Sequence, residues 1–237
     1  DLSKPRVLAT GTQAIVRLAL MQAARDQAAG HATAGYVTGY RGSPLGGLDQ
    51  ALWKAKKHLK AHRIEFTSGL NEDLAATMVW GSQQVNLFPG AKHQGVFAMW
   101  YGKGPGVDRS GDLFKHGNAA GTSQHGGVLV LAGDDHACRS STLPHGSEQE
   151  FVSAMMPVLN PAGVQDILDM GILGWAMSRY TGRWVGFKTI AETVESSASV
   201  IVNPHQLDII LPEDFMLPNG GLNIRWPDPP LDQEMRL

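Results

Sequence analysis

The sequence predicts a doubly wound α/β domain, a mainly parallel sheet with helices on both faces, followed by an extended C-terminal arm. Three observations carry this. Short apolar runs alternate with longer stretches of helical periodicity along most of the chain, the order that builds parallel sheets covered on both sides. The run GGVLVLAG (126–133) is apolar throughout and bounded by glycines, as in a strand buried on both faces. Six of the 13 prolines fall after residue 200, at 204, 212, 218, 227, 229 and 230, where neither a regular helix nor a central strand can hold them.

The elements follow in order. Residues 12–29 place Ala14, Ile15, Leu18 and Met21 at helical spacing and end at Gly30, a natural terminator. AGYVTGY (34–40) reads as a strand running into the glycine-rich loop RGSPLGGLD, and 48–62 as a helix carrying Lys54, Lys56, Lys57 and Lys60. RIEFTS (63–68) is a strand, 71–87 a helix and GVFAMWY (95–101) a strand. GKGPGVD (102–108) reads as a glycine-rich turn. It misses the third glycine of GxGxxG, because Val107 stands there and Pro105 interrupts the turn. Residues 112–120, 147–156 and 163–180 read as helices, and RWVGFKTI (183–190) as the last strand. Residues 1–200 form the predicted domain and 201–237 an arm, or a linker to a following domain.

Composition narrows the classes. With 237 residues, 43% of them hydrophobic, the chain can bury a sizeable core. A net charge of −2 gives no electrostatic case for nucleic acid or an anionic membrane. No run approaches the ~18–20 apolar residues of a membrane span. The single cysteine, Cys138, excludes a disulfide within the chain and a CxxC site. A cytoplasmic setting is expected. The first and last residues, DLSKPRV and DQEMRL, read as those of a piece of a longer protein.

Every informative loop follows a strand: GYRGSP, SGLNE, YGKGPG and GDDHACRSS. Parallel sheets bind ligands at that edge. The histidines at 116, 125, 136 and 145 lie about nine apart, which is not ligand spacing. Asp134, Asp135 and His136 read as loop-capping acids and their neighbour rather than a metal site. GTSQH (121–125) lacks the final glycine of a nucleophile elbow. The lysine-rich helix reads as a solvated face, with docking of an acidic redox partner as the sharper alternative. Glu72 stands apart. The preceding strand delivers it to the carboxyl edge, where it is either a first-turn acid complementing the helix dipole or a partly desolvated carboxylate that touches a ligand.

Taken together, the loops carry a resemblance. GYRGSP (39–44) resembles the G-Y-P-G-T-P loop of the 2-oxoacid:ferredoxin oxidoreductases. LNEDLA (70–75) resembles their N-E-x-x-A segment, and GDDHACRSSTLPHGSEQ (133–149) their A-D-D-P…H-S-S-Q-N-E-Q segment. The wording is most similar to the long fused bacterial branch that acts on indolepyruvate, and the similarity extends over residues 7–237. The resemblance implies the pyrimidine-binding domain of a thiamine diphosphate enzyme. It implies that Glu72 hydrogen-bonds the pyrimidine N1′ and is catalytic, since proton sharing there favours the imino tautomer that removes the C2 proton. It places Gly42 and Ser43 at the cofactor, and Ser43, Arg41, Asp135, Arg139 and Ser140 towards the substrate. Ser43 keeps a hydroxyl where the family has threonine. Arg139 is a candidate for bidentate pairing with a substrate carboxylate.

The resemblance also implies what must come from elsewhere. No GDG…N motif for the diphosphate and Mg²⁺ is present, and no cysteine set for a [4Fe–4S] cluster. Those groups are expected in the rest of the enzyme, with a diphosphate-binding domain completing the site. The expected reaction is oxidative decarboxylation of an aryl 2-oxoacid to the acyl-CoA, with coenzyme A and ferredoxin as partners. The fragment alone is expected to be inactive, and a homo-oligomer is plausible because an apolar face awaits the missing domain. The rival readings are a non-oxidative thiamine decarboxylase or transketolase-like enzyme, and a non-catalytic scaffold of the same fold.

Overall fold

The computed structural model describes residues 4–139, 143–218 and 221–224. Six parallel strands form the main sheet: β2 (Ala34–Gly39), β3 (Ile64–Ser68), β4 (Val96–Lys103), β5 (Val128–Asp134), β6 (Val158–Leu159) and β7 (Trp184–Ile190). Their spatial order is β3-β2-β4-β5-β7-β6, and every pairing is parallel. The central strands are apolar on both sides because two separate cores flank them. Phe97, Met99, Tyr101, Leu129, Leu131, Val185 and Phe187 enter one core. Ala98, Trp100, Val128, Val130, Ala132 and Trp184 enter the other. The two-residue alternation of a strand thus divides one continuous apolar run between two layers.

One face carries α1 (Gly11–Ala28), α2 (Leu48–Ala61) and α7 (Val164–Thr181), which pack on each other and on the sheet. The other carries α3 (Glu72–Gln83), α5 (Gly111–Ala120) and α6 (Glu148–Ser153), around Trp100, Phe114 and Phe151. Local chemistry starts the helices. Thr10 and Gln13 form a reciprocal capping box at α1. Asn71 accepts the Leu74 amide at 2.8 Å to cap α3.

Three expectations from sequence are corrected. GKGPGVD is not a loop: β4 continues through Lys103, and α4 (Gly104–Arg109) follows at once. Pro105 lies in the first turn of α4, where its missing N–H is needed by no helical bond and its fixed φ is favourable. RWVGFKTI is not the last strand. After α8 (Ala191–Val194), β8 (Ser197–Ile201) pairs antiparallel with β1 (Arg6–Thr10), from Arg6 opposite Ile201 to Thr10 opposite Ser197. Neither short strand alternates cleanly, because each buries little apart from Ala9 and Val200 against α1 and α7. Helix α3 also ends at Gln83 rather than 87.

Beyond β8 the described residues form no helix or strand. They are tied back to the domain: Arg25 Nη1 donates to the Pro204 carbonyl at 2.6 Å, and Asn223 Nδ2 to the Arg179 carbonyl at 2.9 Å.

Candidate functional site

The C-terminal ends of β3, β2, β4 and β5 lie side by side, so their loops share one rim. Backbone hydrogen bonds lock the first three together. The Gly69 amide donates to the Gly39 carbonyl at 2.9 Å, and the Tyr40 amide to the Tyr101 carbonyl at 3.0 Å. Gly42 packs on Lys103, whose Cβ would lie 2.9 Å from a methyl group placed there. Ser43 is half-buried beside it, and Arg41 is exposed.

Glu72 opens α3 at this rim and is half-buried. Its carbonyl accepts from the fully buried Trp100 Nε1 at 3.1 Å, which anchors the helix start to β4. Its side chain lies against Gly106 of α4, where an added Cβ would stand 2.5 Å from Glu72 Cγ. The usual duties of a first-turn acid fall to its neighbours. Asn71 caps the helix, and Asp73 takes both oxygens to Arg109 Nε, at 3.1 and 3.0 Å. That pairing, first by hydrogen bond and then by charge, raises Arg109 above the ordinary guanidinium value, with the Glu72 charge adding to it. The Glu72 carboxylate itself makes no hydrogen bond or ion pair among the described residues. A half-buried carboxylate so placed fits a ligand that brings its own donor.

The β5 loop is built differently. Asp134 is fully buried and accepts from Ser147 N at 2.9 Å and Ser147 Oγ at 2.6 Å. His145 stands between two acids, with Nδ1 3.4 Å from Asp134 and Nε2 2.8 Å from Asp108. Lys188 on β7 lies 3.9 Å from Asp134 and hydrogen-bonds Glu148. Burial works against ionisation of Glu148, but the Lys188 hydrogen bond and charge prevail and hold its carboxyl below the usual range. Asp135 is buried and accepts the Arg139 amide at 2.9 Å, closing its own loop. Arg139 is exposed and 3.7 Å from Glu192 of α8, on the β7 side of β5 and so turned away from the Glu72 end of the rim. Ser140, with Ser141, lies outside the described residues.

Glu72 thus lies against α4 and Gly42 against Lys103 just before it, while Asp135 and Arg139 belong to the loop after β5. Among the described residues no group of three or more His, Cys, Asp or Glu side chains is placed to hold a metal ion. No spacing rule singles out the pairing of Asp108 with His145 or of Lys188 with Asp134, because each joins segments far apart in the chain. Beneath the rim, Tyr101 Oη hydrogen-bonds Asp49 at the start of α2, and Ser68 Oγ donates to the same carboxylate at 3.1 Å. This buried link between β4, α2 and β3 is likewise silent in the sequence. No helix among the described residues is long and apolar enough to cross a membrane.

No family model and no curated protein matches the chain. Among solved structures, the fold is similar to that of a 2-oxoglutarate:ferredoxin oxidoreductase from Magnetococcus marinus with 2-oxoglutarate, coenzyme A and succinyl-CoA bound. The TM-score is 0.63 at 14% identity, over 87% of this chain and 33% of that one. This chain therefore spans about a third of its neighbour's length, and what the two share is the α/β fold.

Proposed function

We propose that this chain is the pyrimidine-binding domain of a thiamine diphosphate-dependent 2-oxoacid:ferredoxin oxidoreductase, of the branch that acts on an aryl 2-oxoacid such as indolepyruvate. The observation that carries this is the placement of Glu72. It is a half-buried carboxylate at the sheet's carboxyl rim, relieved of capping by Asn71 and of ion pairing by Asp73. The four rim motifs and the fold shared with a 2-oxoacid:ferredoxin oxidoreductase support the same reading.

Thiamine diphosphate, when bound, supplies the nucleophilic carbon and the electron sink that decarboxylation of a 2-oxoacid requires. Glu72 holds the proton at N1′ of the pyrimidine and sets its tautomer. Gly106 leaves room for that carboxylate, and Gly42 and Ser43 line the cofactor from the β2 loop. A substrate role is assigned to Arg41 and Ser43 of the same loop; Asp135 closes its own loop and Arg139 pairs with Glu192, away from Glu72. The diphosphate, its Mg²⁺ and the iron–sulfur relay belong to other domains, one of which covers this rim. Exposed Leu70, Leu74 and Met78, at four-residue spacing beside Glu72, are the apolar face it would cover. Coenzyme A takes the acyl group and ferredoxin the electrons.

The test is hydrogen–deuterium exchange at C2 of bound thiamine diphosphate in the full-length enzyme. Glu72→Gln should slow it by orders of magnitude. Exchange at the wild-type rate would remove the assignment.

A further inference from the structure

At the opposite end of the strands, a cavity of about 880 Å³ opens between α1, α7 and the polypeptide after β8. That is the size of a small-molecule site. Its inner end is polar. Asp26 accepts from Gln22 Nε2 at 2.8 Å, Thr33 Oγ1 at 2.7 Å, and Arg179 Nη1 and Nη2 at 2.6 and 2.7 Å. Arg179 also donates to the carbonyls of Gly126 and His125. This ion pair is satisfied within the protein, and its charges cancel.

What remains is basic. Arg25 donates to the carbonyls of Pro204 and Leu207 but meets no carboxylate among the described residues. The rings of His31 and His125 lie tilted at 36° to each other with centroids 4.2 Å apart, and their nitrogens hydrogen-bond no described residue. His205 and Tyr180 complete the titratable lining. The outer wall is hydrocarbon: Ile172 and Ala176 from α7, Ile209 and Leu211 from the strap after β8. Burial, then the neighbouring His31 and Arg179, push the His125 imidazole below its ordinary value, with Asp26 opposing. An anion alongside would act in the other direction.

We infer that this cavity binds a small amphipathic carboxylate, its charged head against Arg25 and the His31–His125 pair and its apolar body along Ile172, Ala176, Ile209 and Leu211. The site is separate from the Glu72 rim, and nothing in the inference depends on thiamine chemistry. A ligand so placed bridges α1, α7 and the strap.

Isothermal titration of the full chain with decanoate, and with decyltrimethylammonium as the cationic match, tests it. Decanoate should bind saturably, one per chain, and the cation should not. Affinity should rise as pH falls, as the His125 imidazole takes up a proton beside the anion. Ala176→Trp, which takes up the apolar wall that the hydrocarbon body would lie along, should weaken binding at least tenfold. The pair His31→Gln and His125→Gln should weaken it about tenfold, the scale of one lost charge-assisted hydrogen bond. The histidines are half-buried, so that second variant decides the matter if the tryptophan prevents folding. No saturable decanoate binding, equal binding of the cation, or an affinity indifferent to the histidine substitutions would each overturn the inference.

Discussion

The side chain of Glu72 rests against the backbone of Gly106: a methyl group at that glycine would stand 2.5 Å from Glu72 Cγ and 2.8 Å from Oε1. Helix α4, which the sequence disguises as a glycine-rich turn, is therefore the wall that sets where the carboxylate points. A flexible side chain yields more readily than backbone, so the added methyl would displace Glu72 and leave the fold standing.

Gly106→Ala should thus separate function from stability. Alanine gains up to about 1 kcal/mol of helix propensity over glycine, which offsets the local crowding. Thermal midpoint should change by only a few degrees, while C2 exchange in the full-length enzyme falls about tenfold or more. Equal loss of folding and exchange would mean that Gly106 serves packing alone.

Asn71 is the cap of α3, and Asn71→Ala should cost about 1 kcal/mol. Urea denaturation reads this as a lower midpoint with an unchanged slope. Asn71→Asp should restore most of the loss, because aspartate caps as well as asparagine. If the aspartate is no better than the alanine, the cap is not the reason Asn71 matters.

Tyr101 lies above the ordinary tyrosine value of 10.0, first by burial, then by its hydrogen bond to Asp49 and the Asp49 charge, with a hydrogen bond to Ser68 opposing. The sign is set by proton counts. Above about pH 10 the unfolded chain loses the phenolic proton and the folded chain keeps it, so the unfolded state binds fewer protons and stability falls as pH rises. The contribution is present in full below that pH. Tyr101→Phe should flatten the alkaline decline. Near neutral pH it should destabilise by about 1–3 kcal/mol, because Asp49 loses a buried donor. An unchanged alkaline slope in the variant would assign the decline to other groups.

Lys188 is buried between Asp134 and Glu148. Lys188→Met leaves the fully buried Asp134 without its cation and should cost about 3–5 kcal/mol. Combining it with Asp134→Asn should recover part of that loss, a coupling visible in a double-mutant cycle. Additive losses would mean that the two charges do not sense each other across 3.9 Å.

The strands of the main sheet were legible where burial on both faces forced continuous apolar runs, as in Val128–Ala132, and the long helices where caps and periodicity agreed. Strands β1 and β8 escaped because each is short and half-exposed; their pairing joins residues nearly two hundred positions apart. Helix α4 escaped because Pro105 and its flanking glycines carry turn chemistry everywhere except in a helix's first turn. Strand order located the segments after β2 and β3, which carry Gly42, Ser43 and Glu72; the proposed roles of Gly42 and Ser43 came from the resemblance. The contacts of Asp108 with His145 and of Lys188 with Asp134, which join distant segments, were not legible.

By itself the sequence determined the α/β class and the edge of the sheet at which its distinctive loops gather, because strand length and apolar run are local properties of the chain. It also supplied the acid at position 72, but not its occupation. That was decided by tertiary structure: only folding brings Arg109 to Asp73 and Gly106 to Glu72, leaving one acid of an adjacent pair engaged and the other half-buried and, among the described residues, without a hydrogen bond or ion pair. Which of two neighbouring carboxylates is spent depends on what the distant parts of the chain bring beside each, and that is a matter of distance in space rather than along the backbone.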